Sequence, residues 1–358
     1  MAGSYDEALL RFHRTGPEFH GWLSNHGPMA VDALIRMDQR DDVERWVDGY
    51  IGKLDALPRP RWPIEPLEWR DPLGDASRLG DWLELFDRQL TQAPWREVLT
   101  TWWPRLLPGA VGSATHPLIR TGHAVRALLE KDTGPRLDEL GQALGYWAAR
   151  WAPLPPAPLA RPAGRMAPAA ALSSLPALPD QGGARARIAA LFDEPGWAAT
   201  VSRGRAPAEA RDVEQALDDL VDAAVSHYRR WAPAQPVMLV HMATAPRAAR
   251  LVLPALPRTL WPPTYASVWR VSAAIASMYR PADAAPSTVP SAPSEHAAQP
   301  EPAEQRDGDS AAAAEVANAA AEHGDEHVIK FTEVALESHR RGNPDAIAAA
   351  RTGIRQIG

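Results

Sequence analysis

The chain has 358 residues, 45% of them hydrophobic, and a formal net charge of −6, so a sizeable core can be buried and there is no basic footprint for nucleic acid. Cysteine is absent, which excludes disulfides and thiolate metal sites; any metal must rest on His, Asp, Glu or a modified side chain. No stretch approaches the roughly 20 apolar residues of a membrane helix. The N-terminal MAGSYDEALLRFHRTG has no charged start followed by an apolar run, so a cytoplasmic location is the expectation.

Helical periodicity dominates from there. Residues 25–38 (NHGPMAVDALIRMD) carry Met29, Ala30, Ala33, Leu34 and Met37 on one stripe, with Pro28 where a first-turn proline is tolerated. Amphipathic helices are expected at 42–57, 79–90, 95–107, 115–131 and 137–151, then at 213–231, 236–256 and 264–279, and finally at 325–341 and 343–356. Alternating strand-like runs are nearly missing, so the expected fold class is all-α, a single large helical domain. Two stretches interrupt the pattern. Residues 152–183, rich in Pro, Ala and Leu, read as an extended surface segment; residues 281–309 have almost no large apolar side chain and read as a disordered linker. The helices after that linker are too few for a core of their own and should pack back onto the body.

The chemistry-bearing residues are few. Of 11 histidines, His13, His296, His323 and His339 lie in polar contexts, and His20 and His227 fit neither group. His26, His116, His123, His241 and His327 lie in or beside apolar helical pattern, where an imidazole is either a satisfied core residue or a ligand. His116 and His123 are seven apart, about two turns or roughly 10 Å along an axis, which is far for two ligands of one ion, so one of the pair is expected as a ligand and the other as a group that supports it from outside. Lysine occurs only three times, at Lys53, Lys131 and Lys330, against 35 arginines. Lys330, set among Val328, Ile329 and Phe331, shares a helix face with His327. It is either a snorkelling lysine or one paired with Glu326 or Glu333, or else a buried amine that loses its proton and takes up carbon dioxide as a carbamate, which arginine cannot do. Trp22, Trp102, Trp103, Trp147 and Trp269 either fill the core or line a flat aromatic pocket.

The blocks SNHGPMAVDALIRMD, TTWWPRLLPGAVGSATHPLIRTGHAVRALL, LGYWAARW, VMLVHMATAPRAARLVLPALP and DEHVIKFTE, in that order, resemble those of the questin oxidase-like family. The family's fungal members are tied to oxidative opening of anthraquinone rings in polyketide pathways. The resemblance implies a non-haem iron centre of four histidines and a carboxylated lysine: here His26, His116, His241, His327 and Lys330. The fungal pattern after the second histidine tends to I-H-x-G-Y; Arg120 and His123 depart from it, and these two are expected to face a substrate anion as catalytic groups. Asn25, Thr115, His123, Thr244 and Glu326 are candidates to orient the imidazoles. The resulting expectation is an Fe(II)-dependent oxygenase that uses dioxygen to cleave, or insert oxygen into, a ring of an aromatic polyketide or polycyclic quinone, with no nucleic-acid or membrane partner. The alternatives are a metal-free NADPH-dependent Baeyer–Villiger-type oxidase and a non-catalytic helical ligand-binding protein. No G-x-G-x-x-G follows a strand to support the first of these.

Overall fold

The computed structural model describes residues 4–154, 161–179, 182–282 and 303–358. These form an all-α domain whose one sheet is a two-stranded antiparallel hairpin, β1 Glu18–Phe19 and β2 Leu23–Ser24. The N-terminal helices are α1 Tyr5–Phe12, α2 Gly27–Arg36, α3 Val43–Ile51, α4 Leu79–Gln92, α5 Trp95–Leu106, α6 His116–Glu130 and α7 Gly134–Ala149. Short helices α8 Pro168–Ser173, α9 Ala184–Asp193 and α10 Trp197–Val201 lead to α11 Val213–Trp231, α12 Pro236–Val252 and α13 Trp261–Tyr279. The chain closes with α14 Ala303–His323, α15 Glu326–Arg340 and α16 Ala346–Gln356. Among the described residues, no helix is long and apolar enough to cross a membrane.

Local chemistry explains where these helices begin. Ser4 and Glu7 form a reciprocal capping box at α1. Prolines stand in the first turn of α2, α6, α7 and α12, where the missing N–H costs nothing. Asp325 caps α15 by accepting from the backbone N–H groups of His327 and Val328. Helices α2, α6, α12 and α15 pack as neighbours around a ring, in that order, and α11 and α16 back the α12 and α15 side. The last helices therefore do pack back onto the body, as their small number requires.

Two expectations need correction. The 152–183 stretch is not simply draped on the surface. It contains α8, it buries Leu172 and Leu175, and its backbone bridges Gly164 to Arg205 and Met166 to Gly204. The reason is its recurrent leucines, which offer apolar area that a solvated segment would waste. Within 281–309, residues 283–302 lie outside the described part, while the last seven residues, from Ala303, already belong to α14. The alanine-rich run after Asp309 carries enough helix propensity to extend the helix back into that polar sequence.

Candidate metal centre

The four candidate histidines are delivered by four different helices, and Lys330 shares the last of them with His327. The hairpin is tied down where Arg150 donates to Glu18 and to the Gly21 carbonyl, and the chain then enters α2 through Asn25, whose side chain accepts from Gly27 N–H at 2.8 Å. His26 is the N-cap residue of α2, and its backbone N–H donates to the Tyr50 hydroxyl at 2.6 Å. His116 opens α6 directly after three non-glycine residues in the left-handed region, Ser113 (φ 44°), Ala114 (φ 52°) and Thr115 (φ 70°). Such a turn costs on the order of 1–2 kcal/mol per residue, and it bends the Ser113 carbonyl back to accept from His116 Nδ1 at 2.7 Å. His241 sits within α12 and donates from Nδ1 to the Met238 carbonyl at 3.2 Å. His327 and Lys330 occupy one face at the start of α15.

All four imidazoles meet in the interior. Nε2 of His116 lies 2.7 Å from Nε2 of His26 and 2.9 Å from Nε2 of His241. The His327 ring centroid lies 4.7 Å from that of His26, and ligand atoms of His26, His116 and His327 all fall within 4.8 Å of one another. This buried trio could hold a metal ion, and His241 lies beside it, against His116. A carbonyl only accepts, so His116 and His241 both carry their proton on Nδ1 and present lone pairs on Nε2. Two lone pairs facing each other at 2.9 Å repel unless a cation or a proton lies between them. Protonation is opposed by burial, which together with Lys330 and the neighbouring imidazoles holds His26, His116 and His241 well below the ordinary histidine pKa. A metal ion would resolve the conflict. The carbonyl-anchored Nδ1 is the usual arrangement behind a metal-bound Nε2.

Lys330 completes the cluster. It is 1% exposed and its Nζ has no hydrogen-bond partner. Burial pushes its pKa down to about 7, against a partial upward pull from Glu326 and Asp325. An unpartnered ammonium in this position would be costly, whereas a neutral amine would not, and an anionic derivative would need a cation beside it. The positive ends of three helices (α2, α6 and α15) converge here, which further favours an anionic oxygen at the centre.

The structure orients the rings differently from the sequence expectation in several places. Glu326 does approach His26, Oε1 lying 3.4 Å from Nδ1. The other carboxylate is Asp325, 3.5 Å from Nδ1 of His327, and the remaining two orienting groups are the carbonyls of Ser113 and Met238. Asp325 was legible as a helix-capping residue; the two carbonyls leave no mark in a sequence. Asn25 and Thr244 bond to backbone instead, and Thr115 Oγ1 has no partner. Arg120 and His123, expected to face a substrate anion, are anchored by carboxylates of the chain itself. Arg120 forks onto Glu139 at 2.6 and 2.7 Å and keeps only Nη1 free, and His123 Nδ1 lies 2.7 Å from Asp32. Neither is left as an isolated cation waiting for a ligand. Trp102, Trp103, Trp147 and Trp269 are fully buried with their indole N–H groups bonded within the protein, so they are core, while Trp22 is exposed. His227 is buried against Trp231, and His13 bonds Glu139. His296 lies outside the described residues.

No family model matches this chain, and no curated protein matches it.

Proposed function

We propose that this chain is a metal-dependent oxygenase of the questin oxidase-like kind, with Fe(II) held by His26, His116, His241, His327 and a carboxylated Lys330. The observation that supports this most is the spacing of the Nε2 atoms, 2.7 and 2.9 Å, around a buried amine without a partner. With metal–nitrogen bonds of about 2.0–2.1 Å, one ion could reach nitrogens that lie this close together. Nitrogen and oxygen donors without sulfur suit iron or a similar transition metal better than a closed structural zinc site.

When bound, the metal would supply the site at which dioxygen is activated. The residues prepare that site. Lys330 Nζ, neutral in a large fraction of molecules near pH 7, attacks the carbon of carbon dioxide; an N–C bond forms, one N–H proton is released, and a carbamate replaces the cation. The Ser113 and Met238 carbonyls hold the His116 and His241 rings so that Nε2 points inward, while Glu326 and Asp325 lie near Nδ1 of His26 and His327. The apolar packing around them excludes water and strengthens every charge interaction inside. An aromatic polyketide or polycyclic quinone as substrate rests on the sequence resemblance alone. A metal-free NADPH-dependent enzyme, or a non-catalytic ligand-binding protein, gives the facing lone pairs and the orphaned amine nothing to do.

Elemental analysis after anaerobic loading tests this reading, with about one iron per chain expected from the single five-ligand site. Lys330→Arg should abolish oxygen consumption and weaken metal binding while the circular dichroism stays helical. Wild type prepared in carbon dioxide-free buffer should gain metal affinity on addition of bicarbonate, and the variant should not. A protein that takes up no divalent transition metal at micromolar concentration, or a fully loaded and active Lys330→Arg, would overturn it.

A further inference from the structure

Further along the same four helices lies a second buried polar layer. Asp32 is on α2, six residues past His26; Arg126 is on α6, ten past His116; Arg247 is on α12, six past His241; Glu333 and Glu337 are on α15, three and seven past Lys330. Arg126 donates to Asp32 from Nε at 3.0 Å and from Nη2 at 2.5 Å, and to Glu333 from Nη1 at 2.7 Å. His123 approaches the same Asp32 oxygen at 2.7 Å. Arg247 donates to Glu337 at 3.2 Å and lies close enough to Glu333 to help hold that carboxyl below its usual range against the effect of burial. Asp32, Arg126 and Glu333 are all buried. One guanidinium thus ties α2, α6 and α15 together, and a second ties α12 to α15. Every helix that brings a candidate ligand to the centre is a member, and each runs from the histidine cluster to this layer in the same N-to-C sense.

We propose that this ionic layer sets the register of the four ligand-bearing helices, so that Arg126 and Asp32 are positioning residues for the metal centre. The inference rests on the metal-centre reading above. Apolar contact is non-directional and tolerates sliding of one helix past another. Contacts of this kind between α2, α6 and α12 include the small cluster of Met29, Ile119 and Ala248, set apart from the main core. A metal needs its donors placed to within about 0.2 Å. A planar guanidinium that holds two carboxylates from two other helices supplies that directionality, because a slipped helix would strand a buried charge. The position of the layer also fits: it grips each helix one to three turns from its ligand and touches no ligand itself.

Co(II) titration of the full chain tests the proposal, read by affinity and by the visible ligand-field spectrum, alongside far-UV circular dichroism and the melting temperature of the metal-free protein. Arg126→Met should bind Co(II) at least ten-fold more weakly and with an altered spectrum while remaining helical. Arg126→Lys, which keeps the charge and loses the fork, should recover part of the affinity. Should Arg126→Met fail to fold, Arg126→Lys and Asp32→Asn carry the test with the same readouts. A folded variant that melts lower but binds Co(II) with wild-type affinity and spectrum makes the layer structural only and overturns the proposal. Wild type that binds no Co(II) would instead overturn the metal-centre reading on which it stands.

Discussion

Lys330 is a buried amine without a hydrogen-bond partner. In the metal-free state its pKa is about 7 in the fold against an ordinary 10.5, so between those values the unfolded chain binds a proton that the folded chain does not. Stability of the metal-free protein should therefore rise as pH climbs from about 7 to about 10.5 and carry the full penalty below 7. The rise should amount to a few kcal/mol at ~1.4 kcal/mol per unit. Denaturant unfolding across that range measures it, and Lys330→Met should flatten the curve; a wild type with no rise would show that the amine is solvated or paired. The buried histidines act at the other end. Their pKa values lie well below 6.5, so the folded protein resists protons that the unfolded chain accepts, and stability and metal affinity should both fall as pH drops below 6.5. Of the five candidate ligands, the sequence exposed each as a polar side chain in apolar pattern. It could not show that Arg120 and His123 would be claimed by Glu139 and Asp32, because those partners lie 19 and 91 residues away.

At the scale of an element, the junction that delivers His116 is the most unusual. Ser113, Ala114 and Thr115 hold a left-handed turn without a glycine, although a glycine would take it without strain. Ala114→Gly should therefore stabilise the protein by roughly 1 kcal/mol, the gain in the fold being partly offset by a looser unfolded chain. Chemical denaturation decides this; a loss of more than that amount would mean that the Ala114 methyl packs as well as strains. The opposite substitution applies one helix face further on. A Cβ on Gly122 would lie 2.7 Å from the Cα and Cβ of Ala248, where α6 and α12 cross closely. Gly122→Ala should push two ligand-bearing helices apart, costing about 1–3 kcal/mol and weakening metal binding in an equilibrium titration. Unchanged affinity there would mean that the backbone yields without moving His116 or His241. Helix starts and stops of this kind were readable wherever a proline or a capping aspartate marked them, as at α12 and α15. The short helices α8 to α10 were not, because their few turns give too little periodicity to stand out from a proline-rich background.

Across the whole molecule, the candidate ligands run from residue 26 to residue 330, so closing a metal centre there would close most of the chain. A metal that binds only the folded protein should stabilise it by about 4 kcal/mol when present at 1,000 times its dissociation constant. For a chain of this length that corresponds to a rise of about 5 °C in melting temperature, at about 2 cal/mol/K per residue. Thermal scans with and without Co(II) or Zn(II), repeated on His116→Ala, provide the measurement. A shift that survives in the variant would place the ion elsewhere.

The sequence alone determined the all-α class, the main helices, the return of the C-terminal helices to the body and the short set of histidines with Lys330. Periodicity, proline position and the scarcity of lysine are local properties that a chain carries before it folds. Only the tertiary structure decided that four rings from four helices share one interior space, that Lys330 has no partner there, that the tryptophans are core, and that Arg126 joins three of the ligand helices. Those facts depend on which faces meet between segments far apart in the chain, and side-chain pattern along one helix says which face is buried without saying against what.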